Sequence, residues 1–181
     1  MLVEGEARID DLDAFLADLT GIGGATGCTV QAFDARYVVD HRQLSRALEL
    51  ADRAIARGEN VARDRGVEVL LYAAGRRQID RALAMGVPEG GGPVVVLVAA
   101  DPETGATDDE GGDASDADAD AREAEAADRV ADLLDPAETL GNHDEALVRE
   151  FFDVGDTELV ATEGTLADVV HERVALLDVR K

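Results

Sequence analysis

Three histidines (His41, His143 and His171), one cysteine (Cys28) and two serines (Ser45 and Ser115) are the side chains with which this chain could ligate a transition metal or attack a substrate. Their spacing supports neither. No two histidines stand at ligand spacing, and a single cysteine leaves the set too sparse for zinc. Neither serine sits in a nucleophile elbow, and Cys28 opens an extended stretch, where a small core residue is the ordinary reading. The stretch "GIGGATG" has glycines at 21, 23, 24 and 27. It is one residue too long for a dinucleotide fingerprint and follows a helix instead of a strand. Carboxylates are too numerous to single out an acid–base pair. The sequence therefore predicts no enzyme, no cofactor and no metal.

Arginine is the other chemistry on offer. The chain has 40 acidic and 17 basic residues, a formal net charge of −23. Between Arg36 and Arg81, however, ten arginines face seven acids, a local net of +3. A charge asymmetry of this kind points either to a polyanionic partner or to arginines that pair with acids elsewhere on the surface. The sharpest instance is "LLYAAGRRQIDRAL", where Arg76 and Arg77 follow Gly75 at an expected helix start. Bases are unfavourable at a helix N-terminus, so the pair breaks a local rule. Free N–H groups and two guanidinium forks would seat a phosphate there, RNA or a phosphorylated metabolite alike.

The elements that must position these residues follow from periodicity. Leu2 to Ile9 reads as a strand. Asp10 or Asp11 caps a helix that "GIGGATG" ends, and Cys28 to Val39 is extended. Asp40 caps a long helix through Arg57, with Leu44, Ala47, Leu48, Ala51, Ala54 and Ile55 on its apolar face. Opposite them lie Arg42, Arg46, Arg53 and Arg57, a solvated face or a phosphate track. A second helix from about Arg63 ends at Gly75, a left-handed C-cap, and the next runs from Arg76 or Arg77 to Met85. "PVVVLVAA" is a central strand covered on both faces. The acidic low-complexity stretch at about 101–120 is expected to be a disordered loop, followed by a helix from about Ala121. Asn142 is expected to cap a helix with Leu147, Val148, Phe151 and Phe152, and Thr165 the last one. Ala175 to Val179 reads as a closing strand. The expected fold class is α/β, one domain over residues 1–181 with a mixed central β-sheet flanked by helices.

No apolar run approaches the ~20 residues that cross a bilayer, and the acidic N-terminus does not read as a signal peptide, so a cytoplasmic location is expected. Acidity with a single lysine, Lys181, resembles the surfaces of proteins from salt-loving archaea.

Four segments in order, "FDARYVVDHRQLSRAL", "EVLLYAAGRRQIDRALAMGV", "ALVREFF" and "HERVALLDVRK", resemble the small PRPK-binding subunit of the archaeal KEOPS complex. The resemblance spans roughly residues 2–100 and 140–181. It implies a non-catalytic regulatory α/β subunit that binds the PRPK-type kinase/ATPase directly. Through it the subunit would meet the threonylcarbamoyl transferase that modifies the adenosine beside the anticodon. It also implies binding of tRNA, notably its 3′ CCA end. Gly75, Arg76, Arg77, Gln78 and Ile79 stand on the family's Gly-x-Arg-Gln-Ile core. Tyr72 replaces an arginine there and is a candidate to stack on a base. The tRNA site expected is thus Tyr72, Gly75, Arg76, Arg77 and Gln78, flanked by Arg42, Arg46 and Arg53. The kinase is expected on Leu166, Val169 and Val170 of the last helix. A phosphorylated-metabolite sensor is the alternative.

Overall fold

The computed structural model describes residues 1–102, 112–161 and 164–179. Its frame is a four-stranded sheet in the order β2-β3-β1-β4, formed by β1 (Leu2–Ala7), β2 (Cys28–Asp34), β3 (Gly92–Ala100) and β4 (Asp135–Pro136). All the pairings are antiparallel, where a mixed sheet was expected. The helices that follow β1 and β2 return the chain so that β3 lies between those two strands and runs against both.

β3 organises the interior because its side chains alternate between two faces. Val95 and Leu97 enter one core with Phe33, Leu44, Leu50, Leu70 and Leu71. Val94, Val96 and Val98 enter another with Leu19, Ala126 and Val130. The continuous apolar run is thus a central strand covered on both sides, as its composition predicts.

One face of the sheet carries α1 (Leu12–Thr26) and α5 (Gly112–Ala131). α1 is capped by Asp11 and continues through Gly21, Gly23 and Gly24 to a left-handed Gly27, so the glycine run does not end it early. Gly23 has a packing reason to be glycine: a Cβ there would come 2.6 Å from the Cys28 carbonyl oxygen. α5 starts within the stretch expected to be a disordered loop. Residues 103–111 of that stretch lie outside the described residues, but 112–120 are helical. The reason is the alanine at every second or third position, the best helix former. Farther along, Ala126 and Val130 anchor α5 to the core.

The other face carries α2 (His41–Ala56), α3 (Arg65–Ala73), the single turn α4 (Ile79–Ala82) and α8 (Leu166–Val179). Asp40 caps α2 as its position predicts, accepting from the Gln43 amide at 3.0 Å. The closing strand is absent: Ala175–Val179 continues α8, because Val170, Val174 and Leu177 form one buried helical stripe. α6 (Glu145–Phe152), which packs on α8, and α7 (Asp156–Ala161) precede that last helix. Asp144, not Asn142, caps α6, since its carboxylate reaches the Leu147 amide at 3.0 Å. Thr165 does open α8, exchanging hydrogen bonds with Asp168.

Candidate functional site

The turn after α3 decides what Arg76 and Arg77 can do. Gly75 has φ of 59°. Its amide donates to the Tyr72 carbonyl at 2.9 Å, and the Arg76 amide donates to the Leu71 carbonyl at 3.0 Å. This pair of bonds is the Schellman ending of a helix. It explains the glycine, since the left-handed conformation is open to it at no steric cost. Gly75 also lies against α8, where a Cβ would come 3.2 Å from that of Arg173. The expected helix start is therefore a helix end. α4 opens only at Gln78, which supplies no side-chain cap, and the Arg76 amide is not free to bind a phosphate.

The two guanidinium groups point inward. Arg76 donates through Nη2 to the Phe151 carbonyl, and its Cζ lies 4.8 Å from the centre of the Phe151 ring. Arg77 donates through Nη2 to the Leu177 carbonyl at 3.1 Å. Phe151 is in the last turn of α6 and Leu177 in the last turn of α8, where carbonyls lack an intrahelical partner and the dipole is negative. The bases that looked misplaced at one helix start are thus favourably placed at the ends of two other helices. Each arginine keeps a buried Nε without a hydrogen-bond partner. Both side chains are half-buried.

The other expected tRNA residues divide by position. Arg53 lies 3.8 Å from Asp178, so Arg53 and Arg77 converge on the last turn of α8. Tyr72 lies beneath them at 3% exposure. Burial, with Asp178 and Glu68 adding to it, raises its phenol above the ordinary tyrosine value. Its ring is core and is not offered to a base, which corrects the stacking role. Gln78 is exposed. Arg42 and Arg46 lie in the first turns of α2, far along that helix from Arg53, and Arg46 is paired with Glu49 at 2.8 Å.

Ion pairing reveals a pattern that no single residue shows. Among the described residues, nine arginines have a carboxylate within 4.0 Å of the guanidinium: Arg8, Arg36, Arg46, Arg53, Arg65, Arg122, Arg129, Arg149 and Arg173. The six that have none are Arg42, Arg57, Arg63, Arg76, Arg77 and Arg81, and all fall within the segment of local net charge +3. Arg57, Arg63 and Arg81 were missed as site residues. For Arg57 and Arg81 the sequence held a signal, since no acid stands three or four residues away on either side.

Arg65, in the same segment, shows the contrasting case. Its guanidinium donates to both Asp52 oxygens at 2.7 and 2.9 Å, to Asp101 at 3.1 Å, and to the Ala99 and Ala100 carbonyls. Burial lowers its pKa, but Asp52 and Asp101 outweigh that and leave it raised. It is a structural hub that fastens α3 to the end of β3.

Two further expectations meet the core. Val169 and Val170 are fully buried among Val39, Val148, Phe152 and Val154, and Leu166 packs half-buried against them. Val169 and Val170, both assigned to the kinase, therefore hold α8 against α6 and do not form a surface, and only Leu166 keeps part of its side chain exposed. Beside Arg77, a cavity lined by Val61, Glu68, Leu71, Tyr72 and Leu177 has a volume of about 10 Å³, room for about one water. It does not hold a phosphorylated metabolite.

Among the described residues there is no cluster of three or more metal-ligating side chains, and no helix is long and apolar enough to cross a membrane. No curated protein matches the chain. The model of a protein family described as kinase binding protein CGI-121 matches residues 11–178. That range holds every strand of the sheet except β1, and every helix up to the last turn of α8. The chain belongs to the CGI-121 family of kinase-binding proteins.

Proposed function

We propose that this protein is a non-catalytic adaptor of the KEOPS tRNA-modification complex, which binds the PRPK-type kinase/ATPase and helps to recruit tRNA by its 3′ CCA end. The kinase-binding half rests on family membership. The tRNA half rests on one observation: in a chain of net charge −23, every described arginine without a carboxylate partner lies between Arg42 and Arg81. Free guanidinium groups are what a phosphate backbone binds, and they are absent from the rest of the described surface. In the salty cytoplasm that the acidic composition suits, the Debye length is about 3 Å at 1 M, so RNA contacts would be short-range.

Filter binding of intact tRNA, and of tRNA lacking CCA, across a KCl series tests the RNA half. Tight binding of intact tRNA with a loss on CCA removal is expected. Equal binding to both RNAs reduces the contact to a generic backbone one, and no binding at any salt removes tRNA from the function. Capture of the purified PRPK-type kinase tests the other half independently.

A further inference from the structure

Arg53 and Arg77 are both expected tRNA residues, yet in the free protein both turn to the last turn of α8. Arg77 commits its Nη2 donor to the Leu177 carbonyl at 3.1 Å, and Arg53 faces the Asp178 carboxylate at 3.8 Å.

Asp178 breaks the charge rule for helix ends. A carboxylate in the last turn meets the negative end of the dipole, and the last turn of α8 has no base of its own. The Asp178 side chain is also withdrawn from water, at 17% exposure, where Arg53 opposite is 43% exposed. Its compensation comes from outside the helix. Burial, then Asp178 and Glu68, raise the Tyr72 phenol, while Arg77 and Arg53 act to lower it. Two acids and two arginines thus surround one buried ring.

Contact length distinguishes this cluster from the structural hub at Arg65, which holds both Asp52 oxygens at 2.7 and 2.9 Å. Arg53 and Asp178, at 3.8 Å, stand beyond hydrogen-bond distance. Another anion can replace the carboxylate there without breaking a hydrogen bond between the two.

We infer that the last turn of α8 is an autoinhibitory plug, whose Asp178 carboxylate and Leu177 carbonyl occupy Arg53 and Arg77 until an RNA phosphate displaces them. The inference rests on the tRNA half of the proposed function. A phosphate competes well, because its charge-assisted bonds to a guanidinium are about twice as strong as a neutral bond to a carbonyl. Val170 and Val174 keep α8 in the core, so only its end has to yield, and helix ends fray within a turn.

The test is filter binding of intact tRNA to the full chain across a KCl series. Asp178→Asn removes the competing charge at constant size and should tighten Kd by about two- to fivefold, the worth of a surface ion pair. The gain should persist at about 1 M KCl, where long-range repulsion is screened. It should vanish in an Arg53→Ala, Arg77→Ala background. Glu172→Gln, which neutralises an exposed acid of the same helix, should leave Kd unchanged. Circular dichroism checks the fold. If the Asn variant unfolds, hydrogen exchange of the wild type decides, since amides in the last turn of α8 should exchange faster in the tRNA complex. Wild-type affinity in Asp178→Asn, an equal gain from Glu172→Gln, or a last turn protected by tRNA overturns the plug. No tRNA binding by wild type or variant at any salt overturns the tRNA reading and the plug with it.

Discussion

The two layers that cover the sheet treat arginine in opposite ways. α1 and α5 together hold nine acids and two bases, and both bases are neutralised within the helix, Arg122 by Asp118 and Arg129 by Glu125. From α2 to α4, residues 41–82, nine arginines meet six acids, and six of the nine have no carboxylate within 4.0 Å. Both layers cover cores of the same kind, built on alternate residues of β3. Packing therefore does not account for the difference in charge. One layer is a solvated acidic cover. The other keeps cations free for a partner, or sets them where only helix carbonyls are within reach.

The largest expected effect separates structural from free arginines within the basic layer. Arg65→Met removes the partner of Asp52 and Asp101 and the donor to two strand-end carbonyls. It should cost about 3 kcal/mol in urea unfolding, in the range seen when one member of a buried ion pair is lost. A loss below about 1 kcal/mol would erase the distinction drawn between Arg65 and its neighbours.

Arg77→Ala comes next, because it breaks a hydrogen bond and also removes a cation from the C-terminus of α8. A loss of about 1–2 kcal/mol is expected, together with weaker tRNA binding. Placement at an exposed helix start would make the same change neutral or slightly stabilising, so the sign of the change in melting temperature discriminates. Arg122→Ala, on the acidic layer, should leave RNA binding as it is.

A smaller effect is expected inside α1. Gly21 has open space where a Cβ would go, so Gly21→Ala should stabilise the protein by about 0.5–1 kcal/mol. Gly23→Ala should destabilise it, because of the close Cys28 carbonyl. Equal responses at the two positions would show that the helix tolerates glycine there for another reason.

The smallest effect on stability belongs to the exposed cations. Arg42→Ala and Arg57→Ala should change stability by less than about 0.5 kcal/mol. Each that meets a phosphate should lower the slope of log affinity against log salt by about 0.7–0.9. An unchanged slope in both variants would confine the RNA contact to the region of Arg77.

What the sequence made legible follows a physical division. The β3 strand, the Asp40 cap, the helix Asp40 opens and the left-handed Gly75 are written in neighbouring residues, and the structure has all four. The last five described residues, Ala175–Val179, are apolar apart from Asp178, a pattern that suits a strand as well as a buried helix. Only packing against α2 and α3 decides between the two. Helix formation at 112–120 was hidden by acidity, which suggests a loop although alanine favours a helix. Of the candidate site, the segment with excess arginine could be read from sequence, but the direction of its side chains could not. Arg76 and Arg77 find their acceptors 75 and 100 residues along the chain, and local pattern holds no trace of such contacts. Tyr72 and Val170 illustrate the same limit, since each looked available for a partner and is core.

The arginine bonds that close the turn after α3 have a kinetic consequence. Closing a contact between residues 100 positions apart costs chain entropy before neighbouring packing offsets it, so such a contact is expected to form late in folding. The bond from Arg77 to the Leu177 carbonyl is therefore expected on the native side of the folding barrier, and Arg77→Ala should raise the unfolding rate more than it lowers the folding rate in a stopped-flow urea series. Equal effects on the two rates would place the bond in the folding nucleus instead. With the larger effect on unfolding, this single hydrogen bond would act as a latch on the lifetime of the folded molecule.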